Sequence, residues 1–269
     1  MRDILTPALL AAREILLAKH SASSPSQKED LTPVTEADLA ANRVILDWIS
    51  LVHPDDHVLS EEAVIPNYQE RRDWKRVWIV DPLDGTSEFV AGNLEYGVSI
   101  GVCQNGVIEE GVIIAPALGL IAWGGLGQGA WRADVTREDL LECDGGIPDS
   151  LWNKLNYQKV ALKISGRYPQ YSPDISILCS RSHNDPDTLK AIGSFPGAER
   201  ITVGACIKFI RLAQGVADYY PRLKSLHEWD IAGGHAIVKA AGGNMYEYGT
   251  RREVTYNSPT LGSPPFEAY

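Results

Sequence analysis

The stretch VWIVDPLDGTSEF at residues 77–89 constrains the fold of this chain more than any other. It opens with a short, apolar, partly β-branched run, which predicts a buried strand. We expect this strand to end at Asp81, because Pro82 has no backbone N–H to donate to a sheet. Asp84-Gly85 is a turn signal, and Thr86 is a residue type that often begins a helix. The sequence therefore predicts a strand, a tight turn and a helix in immediate succession.

Two carboxylates in this turn, Asp81 and Asp84, can converge on one point with the Leu83 carbonyl between them. Hard divalent cations such as Mg²⁺ prefer this kind of all-oxygen environment. The backbone amides of Gly85 and Thr86, at the start of the helix, would face an anion held by the same cation. A plain strand, Asp-Gly turn and helix cap explains a lone D-P-x-D-G pattern equally well.

The longer pattern W-x-x-D-P-x-D-G-T-x-x-F, which begins at Trp78, is far more specific. It resembles the first metal-binding motif of the inositol monophosphatase superfamily. The resemblance implies a layered α/β/α/β/α sandwich of the sugar-phosphatase type and a Mg²⁺-dependent phosphatase. It also implies inhibition by Li⁺, through competition at a Mg²⁺ site.

The overall charge argues against a polyanionic partner. The 269 residues include 25 basic and 35 acidic side chains, a formal net charge of −10. Such a surface is unsuited to a nucleic-acid polymer or an anionic membrane. The length suits one domain or two closely packed ones.

The cysteine pattern and the N-terminus predict a soluble, cytoplasmic protein. The cysteines are scattered without a C-x-x-C pair, which indicates neither a zinc site nor a disulfide scaffold. Charged residues interrupt the apolar N-terminal segment, and no stretch approaches the roughly 20 apolar residues needed to span a bilayer.

Asp38 has two compatible interpretations. Apolar spacing predicts a helix over residues 4–19, a polar loop over residues 20–33, and a second helix that begins near Thr35. From spacing alone, Asp38 is the acidic partner in a capping box with Thr35. The segment 32–38 also resembles the P-V-T-x-x-D element of the superfamily, in which the Asp helps to orient the attacking water.

Glu61 and Glu62 follow a short predicted strand, V-L-S at residues 58–60. Two adjacent acids usually lie in a solvated loop. Here they resemble the G-E-E element of the superfamily, with Ser60 in place of Gly. By that resemblance Glu61 is a metal ligand, and Glu62 supports the site without binding the metal.

The order of strand-like and helix-like segments in the remaining chain, with turn residues between them, predicts an α+β or α/β fold in two halves. Short β-rich runs over residues 95–132, with the hairpin signal Asn105-Gly106, indicate an antiparallel sheet in the first half. Beyond residue 174, strand-like and helix-like segments alternate, including strand-like residues 217–220, which predicts a mixed sheet in the second half. We place the halves at residues 1–133 and 134–269. Residues 133–174 carry no motif that we can interpret.

A second chemical element begins at Asp230. Taken alone, Asp230 is the N-cap of a Gly- and Ala-rich helix that ends at Gly242 and packs closely on a sheet. The string W-D-x-A-x-G-x-x-I-x-x-x-A-G-G, however, resembles the second signature of the superfamily, with Gly233 where Ala is commoner. That resemblance places Asp230 among the metal ligands.

Together the motifs imply a site with two or three Mg²⁺ ions. In the family pattern one ion is bound by Glu61, Asp81 and the Leu83 carbonyl, a second by Asp81, Asp84 and Asp230, and a third, weaker ion through water near Asp38 and Glu61. The implied reaction is hydrolysis of a phosphate monoester. Thr86, paired with Asp38, would align and deprotonate the attacking water, while the amides of Gly85 and Thr86 bind phosphate oxygens.

The substrate depends on three further positions. The S-R-S-H at residues 180–183 and the Y-P-R at residues 220–222 resemble the 3′(2′),5′-bisphosphate nucleotidase branch. The resemblance implies that His183, Lys208 and Arg222 recognise adenosine bisphosphate. The charges of Lys208 and Arg222 suit a second phosphate that is not hydrolysed. One departure is Ala205, because that branch carries G-S-S-x-K where this chain has G-A-C-I-K. The Ser hydroxyl that would contact the nucleotide is therefore absent.

Three hypotheses follow. The first is a nucleotidase that removes the 3′-phosphate of adenosine 3′,5′-bisphosphate, a by-product of sulfate assimilation. The second is an inositol or sugar monophosphatase. The third is a catalytically silent relative that binds metal or ligand, although the full set of implied ligands argues against it.

Overall fold

The computed structural model describes residues 1–18, 26–27, 33–169, 174–182 and 185–269. In these ranges the helices are α1 (Arg2–Ala18), α2 (Glu36–Val52), α3 (Tyr68–Arg71), α4 (Thr86–Val90), α5 (Arg137–Leu141), α6 (Asp149–Gln158), α7 (Pro186–Gly193), α8 (Ile207–Ala213) and α9 (Ala232–Ala240). The strands are β1 (Ser26–Gln27), β2 (Pro33–Val34), β3 (His57–Ser60), β4 (Arg76–Asp84), β5 (Gly97–Gln104), β6 (Val107–Ala115), β7 (Leu120–Gly125), β8 (Gly129–Asp134), β9 (Val160–Leu162), β10 (Ser176–Ser180), β11 (Glu199–Val203), β12 (Tyr220–Arg222), β13 (Met245–Glu247) and β14 (Phe266–Ala268).

The two N-terminal helices cover one face of the main sheet. Their apolar stripes form one core with sheet residues such as Ile100, Val112 and Ile121. The predicted start of α2 is confirmed, because Thr35 is its N-cap and forms a reciprocal capping box with Asp38.

The main sheet has seven strands in the order β3-β4-β5-β6-β7-β8-β9. The predicted antiparallel meander is confirmed from β5 to β8, and β4 adds a further antiparallel strand next to β5. The Asn105-Gly106 turn has φ values of 51° and 78°, the signs of a type I′ hairpin turn. The expectation of a purely antiparallel sheet was wrong at one edge, because β3 pairs with β4 in parallel. At the other edge β9, from the segment without a motif, pairs with β8. The division at residue 133 stays a prediction.

The strand β4 does not end at Asp81, as the proline had led us to expect. It continues through Pro82 to Asp84, but its pairing is irregular there: Asp81 pairs with Ser99, and Asp84 with Gly97. Pro82 and Leu83 thus lie opposite Val98 alone, which is the geometry of a bulge. A bulge tolerates proline because the inserted residues leave the regular hydrogen-bond ladder.

The opposite face of the main sheet packs against α8 and α9. A Cβ atom on Gly101 would lie 2.7 Å from the Ala232 backbone, and one on Gly111 only 2.5 Å from the Gly233 carbonyl oxygen. The predicted close approach of a small-residue helix to the sheet is therefore present. No helix in the described ranges has the length and apolar character needed to cross a bilayer.

The start of α9 corrects a second expectation. Its N-cap is Ile231, and Asp230 is the last residue of a preceding 3₁₀ turn, Glu228–Asp230. In that turn the Asp230 side chain accepts a hydrogen bond from the His227 amide at 2.7 Å. The helix ends as predicted, because Gly242 follows Ala240 and the C-cap Ala241 with a φ of +92°.

Two small sheets complete the layers beyond α8 and α9. The strands β10 and β11 pair in parallel, and β12, β14 and β13 form an antiparallel sheet. A single parallel bridge from Ile177 to Tyr219 joins β10 to the segment before β12. The strand expected at residues 217–220 is shifted to Tyr220–Arg222. Helix α7 packs outside, with Ile192 in a core that includes Ile175 and Ile177.

Candidate active site

Most of the residues predicted to carry chemistry line one pocket of about 390 Å³, and Asp38 lies behind this lining, in contact with Thr86. The pocket opens where β4 passes into α4, and the loops after β10 and β11 close its other side. Of the predicted site residues, those that line it are Glu61, Asp81, Leu83, Asp84, Gly85, Thr86, Lys208, Arg222 and Asp230. His183 lies outside the described residues.

Three carboxylates form an acidic cluster, which consists of Asp81, Asp84 and Asp230. One oxygen from each lies within 4.8 Å of the others, so the predicted convergence is confirmed. The bulge in β4 places Asp81 and Asp84 on the same side, and the 3₁₀ turn before α9 brings in Asp230. Glu61 lines the same pocket, and its charge acts on all three carboxylates.

The cluster has strongly perturbed acidities. Burial raises the pKa of Asp81 well above its usual range, and the charges of Glu61 and Asp84 raise it further. Burial also raises the pKa of Asp84 to about 6, although the Lys208 ammonium opposes this rise. For Asp230, burial and then the charge of Asp84 raise the pKa to about 8. Three mutually repelling carboxylates, buried at Asp81 and half-buried at Asp84 and Asp230, offer only oxygen donors and fit a divalent cation such as Mg²⁺.

These pKa shifts predict a pH-dependent stabilisation by Mg²⁺. The pKa values of Asp84 and Asp230 in the folded chain, about 6 and about 8, lie above the 3.8 of an ordinary aspartate. The metal-free folded chain therefore binds more protons than the unfolded chain between pH about 4 and about 8. Its stability therefore falls as pH rises from about 4 through about 8. A bound cation offsets the repulsion, while protons compete with it at low pH.

We therefore expect saturating Mg²⁺ to raise the Tm by roughly 5 °C at pH about 8.5 and by much less at pH about 5.5. Differential scanning calorimetry of chelator-treated protein, with and without Mg²⁺, measures both shifts. Asp134→Asn, at a side chain that is 84% exposed, is the control that should behave like the wild type. An equal Mg²⁺ shift at both pH values would contradict this account of the cluster.

Thr86 and Asp38 form the predicted pair. The Thr86 hydroxyl lies 2.9 Å from Asp38 Oδ1 and 3.1 Å from the Leu83 carbonyl oxygen. The other oxygen of Asp38 accepts hydrogen bonds from the amide and hydroxyl of Thr35 at 2.7 and 2.6 Å. Burial raises the pKa of Asp38, and these hydrogen bonds oppose the rise. Asp38 therefore caps α2 with one oxygen and orients Thr86 with the other, so its two interpretations coexist.

Gly85 begins α4 in a conformation that requires glycine. Its φ is +89°, and a Cβ atom there would lie 3.0 Å from Ala205 Cβ and 3.1 Å from the Glu95 carbonyl oxygen. The Gly85 backbone therefore faces the pocket without a side chain. Gly85 and Thr86 both line the pocket.

Two buried cations, Lys208 and Arg222, line the same pocket. Lys208, on α8, is 7% exposed, and its Nζ lies 3.5 Å from the Val203 carbonyl oxygen and 5.7 Å from the Tyr220 ring centre. Burial lowers the pKa of Lys208, and the charge of Asp84 opposes that change. Arg222 is 3% exposed and lies 3.5 Å from the Ser180 hydroxyl. An acidic and a basic subsite thus share one pocket.

The comparisons with known proteins identify the family. The model of the inositol monophosphatase family matches residues 3–264. The chain belongs to this family. The 3′(2′),5′-bisphosphate nucleotidase CysQ of Salmonella typhimurium is 33% identical over 224 residues, which are 83% of this chain and 79% of that protein.

Two other family members bear on the fold and on specificity. The crystal structure of CysQ from Bacteroides thetaiotaomicron has a TM-score of 0.82 at 32% identity, covering 99% of this chain and 95% of that one. This likeness confirms the layered inositol monophosphatase fold. The fructose-1,6-bisphosphatase/inositol-1-monophosphatase of Thermotoga maritima is 30% identical over 220 residues, 80% of this chain and 71% of that protein.

The structure adds two residues that the family motifs did not predict: Glu88, which lines the pocket, and Cys206, which is buried beside Asp84. The Cys206 thiol and amide both hydrogen-bond to the Asp84 carboxylate, and burial raises the pKa of that thiol well above its usual range, so it remains a donor. Glu88 is 5% exposed and accepts a hydrogen bond from the Ser182 hydroxyl at 2.6 Å. The segment G-A-C-I-K differs from the nucleotidase pattern G-S-S-x-K at two positions, Ala205 and Cys206. From the sequence we interpreted the first of these differences but not the second.

Proposed function

We propose that this chain is a Mg²⁺-dependent phosphatase that removes the 3′-phosphate of adenosine 3′,5′-bisphosphate to give AMP and phosphate. One observation carries the proposal: the acidic cluster, with Asp81 buried and Asp84 and Asp230 half-buried, lines the same pocket as two buried cations, Lys208 and Arg222. A substrate with two phosphates fits this division, because one phosphate can lie at the acidic metal site and the other against the cations.

The residues that would hold two or three Mg²⁺ ions are Glu61, Asp81, the Leu83 carbonyl, Asp84 and Asp230. When bound, such ions make water more acidic and stabilise negative charge on the phosphoryl group and the leaving oxygen. The Cys206 thiol and amide contribute by orienting the Asp84 carboxylate.

Thr86 and Asp38 would handle the proton of the attacking water. The Thr86 hydroxyl donates to Asp38, which leaves an oxygen lone pair free to accept a proton from water. Proton transfer through Thr86 to Asp38 is supported by their 2.9 Å contact and the raised pKa of Asp38. The water oxygen then bonds to phosphorus as the bond from phosphorus to the ribose 3′-oxygen breaks. The 3′-oxygen takes up a proton from solvent water, and Asp38 returns the proton that it accepted to solvent. Gly85 and Thr86 amides would hold the phosphate oxygens.

At the second subsite, Arg222 and Lys208 would bind the 5′-phosphate, and we assign His183 to the same recognition. Ala205 supports an alternative substrate, because it offers no hydroxyl to a nucleotide. The second candidate is therefore an inositol or sugar monophosphate, and the relative in Thermotoga maritima carries inositol-1-monophosphatase in its name.

The state of the cysteines bears on the cellular location of the protein. All four cysteines, which are Cys103, Cys143, Cys179 and Cys206, are free thiols. We include in the proposal a reducing, cytoplasmic environment, since unpaired thiols persist there.

A substrate panel tests the proposed function. We expect kcat/KM for adenosine 3′,5′-bisphosphate to exceed that for inositol 1-phosphate by about 10-fold or more, because charge-assisted hydrogen bonds to the second phosphate are worth about 1.5–3 kcal/mol. Activity should vanish on chelation and return with Mg²⁺. Phosphate release from both substrates, for wild type and Arg222→Met, gives the measurement.

The Arg222→Met variant is the internal control, since it should remove most of the preference while retaining hydrolysis of inositol 1-phosphate. Faster hydrolysis of inositol 1-phosphate by the wild type would instead favour the monophosphatase. A lack of activity on every ester with Mg²⁺ restored would point to the catalytically silent relative.

A further inference from the structure

Two carboxylates just beyond the metal-binding turn hold a loop that comes from the other side of the pocket. Glu88 lies on α4 and accepts the Ser182 hydroxyl at 2.6 Å. Glu95 lies between α4 and β5, and its Oε2 lies 2.8 Å from Arg181 Nε. Arg181 and Ser182 belong to the loop that follows β10.

The same oxygen of Glu95 reaches a second loop. Glu95 Oε2 accepts a hydrogen bond from the Gly204 amide at 2.7 Å, at the end of β11. The strands β10 and β11 are parallel neighbours, so their following loops emerge on the same side. One carboxylate oxygen therefore ties both loops to the segment that carries the metal ligands. Hydrogen bonds from Arg181 and Gly204, with the Arg181 charge, lower the pKa of Glu95 and keep it ionised.

The Gly204 loop has little freedom to lie elsewhere. A Cβ atom on Gly204 would meet Glu95 Oε2 at 3.0 Å, so the carboxylate packs directly on this backbone. The next residue, Ala205, has a φ of +49°, an unfavourable region for a residue with a Cβ. Its Cβ faces Gly85, and the helix that carries Lys208 starts shortly after it. The contact of Glu95 with Gly204 thus fixes the segment that packs on Gly85 and leads into the helix carrying Lys208.

We propose that Glu95 is a positioning residue that sets the distance between the acidic subsite and the Lys208 and Arg222 subsite, and so selects substrates with two phosphates. Arg181 acts through Glu95 and is not itself a phosphate ligand. The inference rests on the proposed function, because it assumes that both subsites are occupied together.

The relative sizes of the contacts decide what each variant should do. The pair of Arg181 and Glu95 is exposed on the arginine side, and exposed ion pairs are weak. The hydrogen bond from the Gly204 amide to a carboxylate in a crowded wall is the stronger contact. Loss of Glu95 should therefore matter more than loss of Arg181.

The test compares Glu95→Ala, Glu95→Gln and Arg181→Ala with adenosine 3′,5′-bisphosphate and inositol 1-phosphate as substrates. For the bisphosphate we expect Glu95→Ala to raise KM by about 10-fold with kcat within about twofold. The KM for inositol 1-phosphate should not change. Glu95→Gln should recover much of the loss because its amide oxygen can still accept from Gly204, and Arg181→Ala should raise KM by less than about threefold.

Controls separate this role from general damage. Asp149→Ala removes a surface ion pair with Arg2 at 3.0 Å, far from the pocket lining, and should leave both KM values unchanged. The double variant of Glu95→Ala with Arg181→Ala should be no worse than Glu95→Ala alone. If Glu95→Ala does not fold, Glu95→Gln and Arg181→Ala must each show a smaller KM increase that is confined to the bisphosphate, and no increase in either would contradict the inference.

Several outcomes would overturn the inference. These are an equal loss on both substrates, a fall in kcat at constant KM, or unchanged kinetics in a wild type that does hydrolyse the bisphosphate. A wild type that does not hydrolyse the bisphosphate at all would defeat the proposed function itself, and this inference with it.

Discussion

Replacing Asp84 with asparagine should lower kcat by about 10³-fold or more, because a metal ligand in phosphoryl transfer supplies several kcal/mol of charge stabilisation. One carboxylate oxygen of Asp84 lies within 4.8 Å of an oxygen of Asp81 and an oxygen of Asp230, and all three residues line the pocket. Asparagine has the same size and keeps one oxygen, but it removes a negative charge. Hydrolysis of adenosine 3′,5′-bisphosphate across a Mg²⁺ titration measures the loss, and circular dichroism shows whether the fold is retained.

The neighbours of Asp84 sharpen this test. Cys206 donates hydrogen bonds to the Asp84 carboxylate, and the Lys208 ammonium attracts it. Both interactions favour the ionised form of the Asp84 carboxylate, and Asp84→Asn removes the negative charge that they stabilise. Asp134→Asn, on an exposed carboxylate, is the matched control and should retain full activity. More than a tenth of wild-type turnover for Asp84→Asn at saturating Mg²⁺ would rule out Asp84 as a ligand.

The acidic cluster could be predicted because each of its parts carries a local signal. Asp81 and Asp84 lie three residues apart in one short segment, which made their convergence easy to predict, although the structure achieves it through a bulge in β4 and not through a turn. Asp230 comes from a distant segment, and its place followed from resemblance to a family motif, not from spacing. The local conformations were harder to predict. Pro82 was expected to end a strand, yet the surrounding sheet absorbs it in a bulge, so tertiary pairing outweighed the residue's own preference.

The contacts of Glu95 and Glu88 could not be predicted in the same way. Their partners lie 109 and 94 residues away along the chain, at Gly204 and Ser182. A glutamate in a polar segment has the same local appearance whether it faces water or receives a buried amide. Only the packing of β11 and the loop after β10 against α4 distinguishes the two cases. The contacts of Glu95 and Glu88 therefore become visible only in the tertiary structure, whereas the metal ligands can be recognised from sequence motifs.

Replacing Thr86 with valine should lower kcat by about 10²–10⁴-fold with a much smaller change in KM, since general-base assistance acts mainly on the chemical step. Valine keeps the branched shape but loses the hydroxyl that donates to Asp38 at 2.9 Å. Asp38→Asn should have a similar effect on kcat, because an amide cannot take up the proton. It should also lower the free energy of unfolding by about 1 kcal/mol, since Asp38 completes the cap of α2.

The hydroxyl itself can be separated from the shape of the side chain. Thr86→Ser keeps the donor to Asp38 and should retain activity within about 10-fold of the wild type. If Thr86 and Asp38 act as one unit, the double variant of Thr86→Val with Asp38→Asn should be no slower than either single variant, because the second change removes a step already lost. Steady-state kinetics on the four variants measure this coupling. Additive losses, or a Thr86→Ser variant as slow as Thr86→Val, would show that the 2.9 Å contact between Thr86 and Asp38 orients the turn without moving a proton.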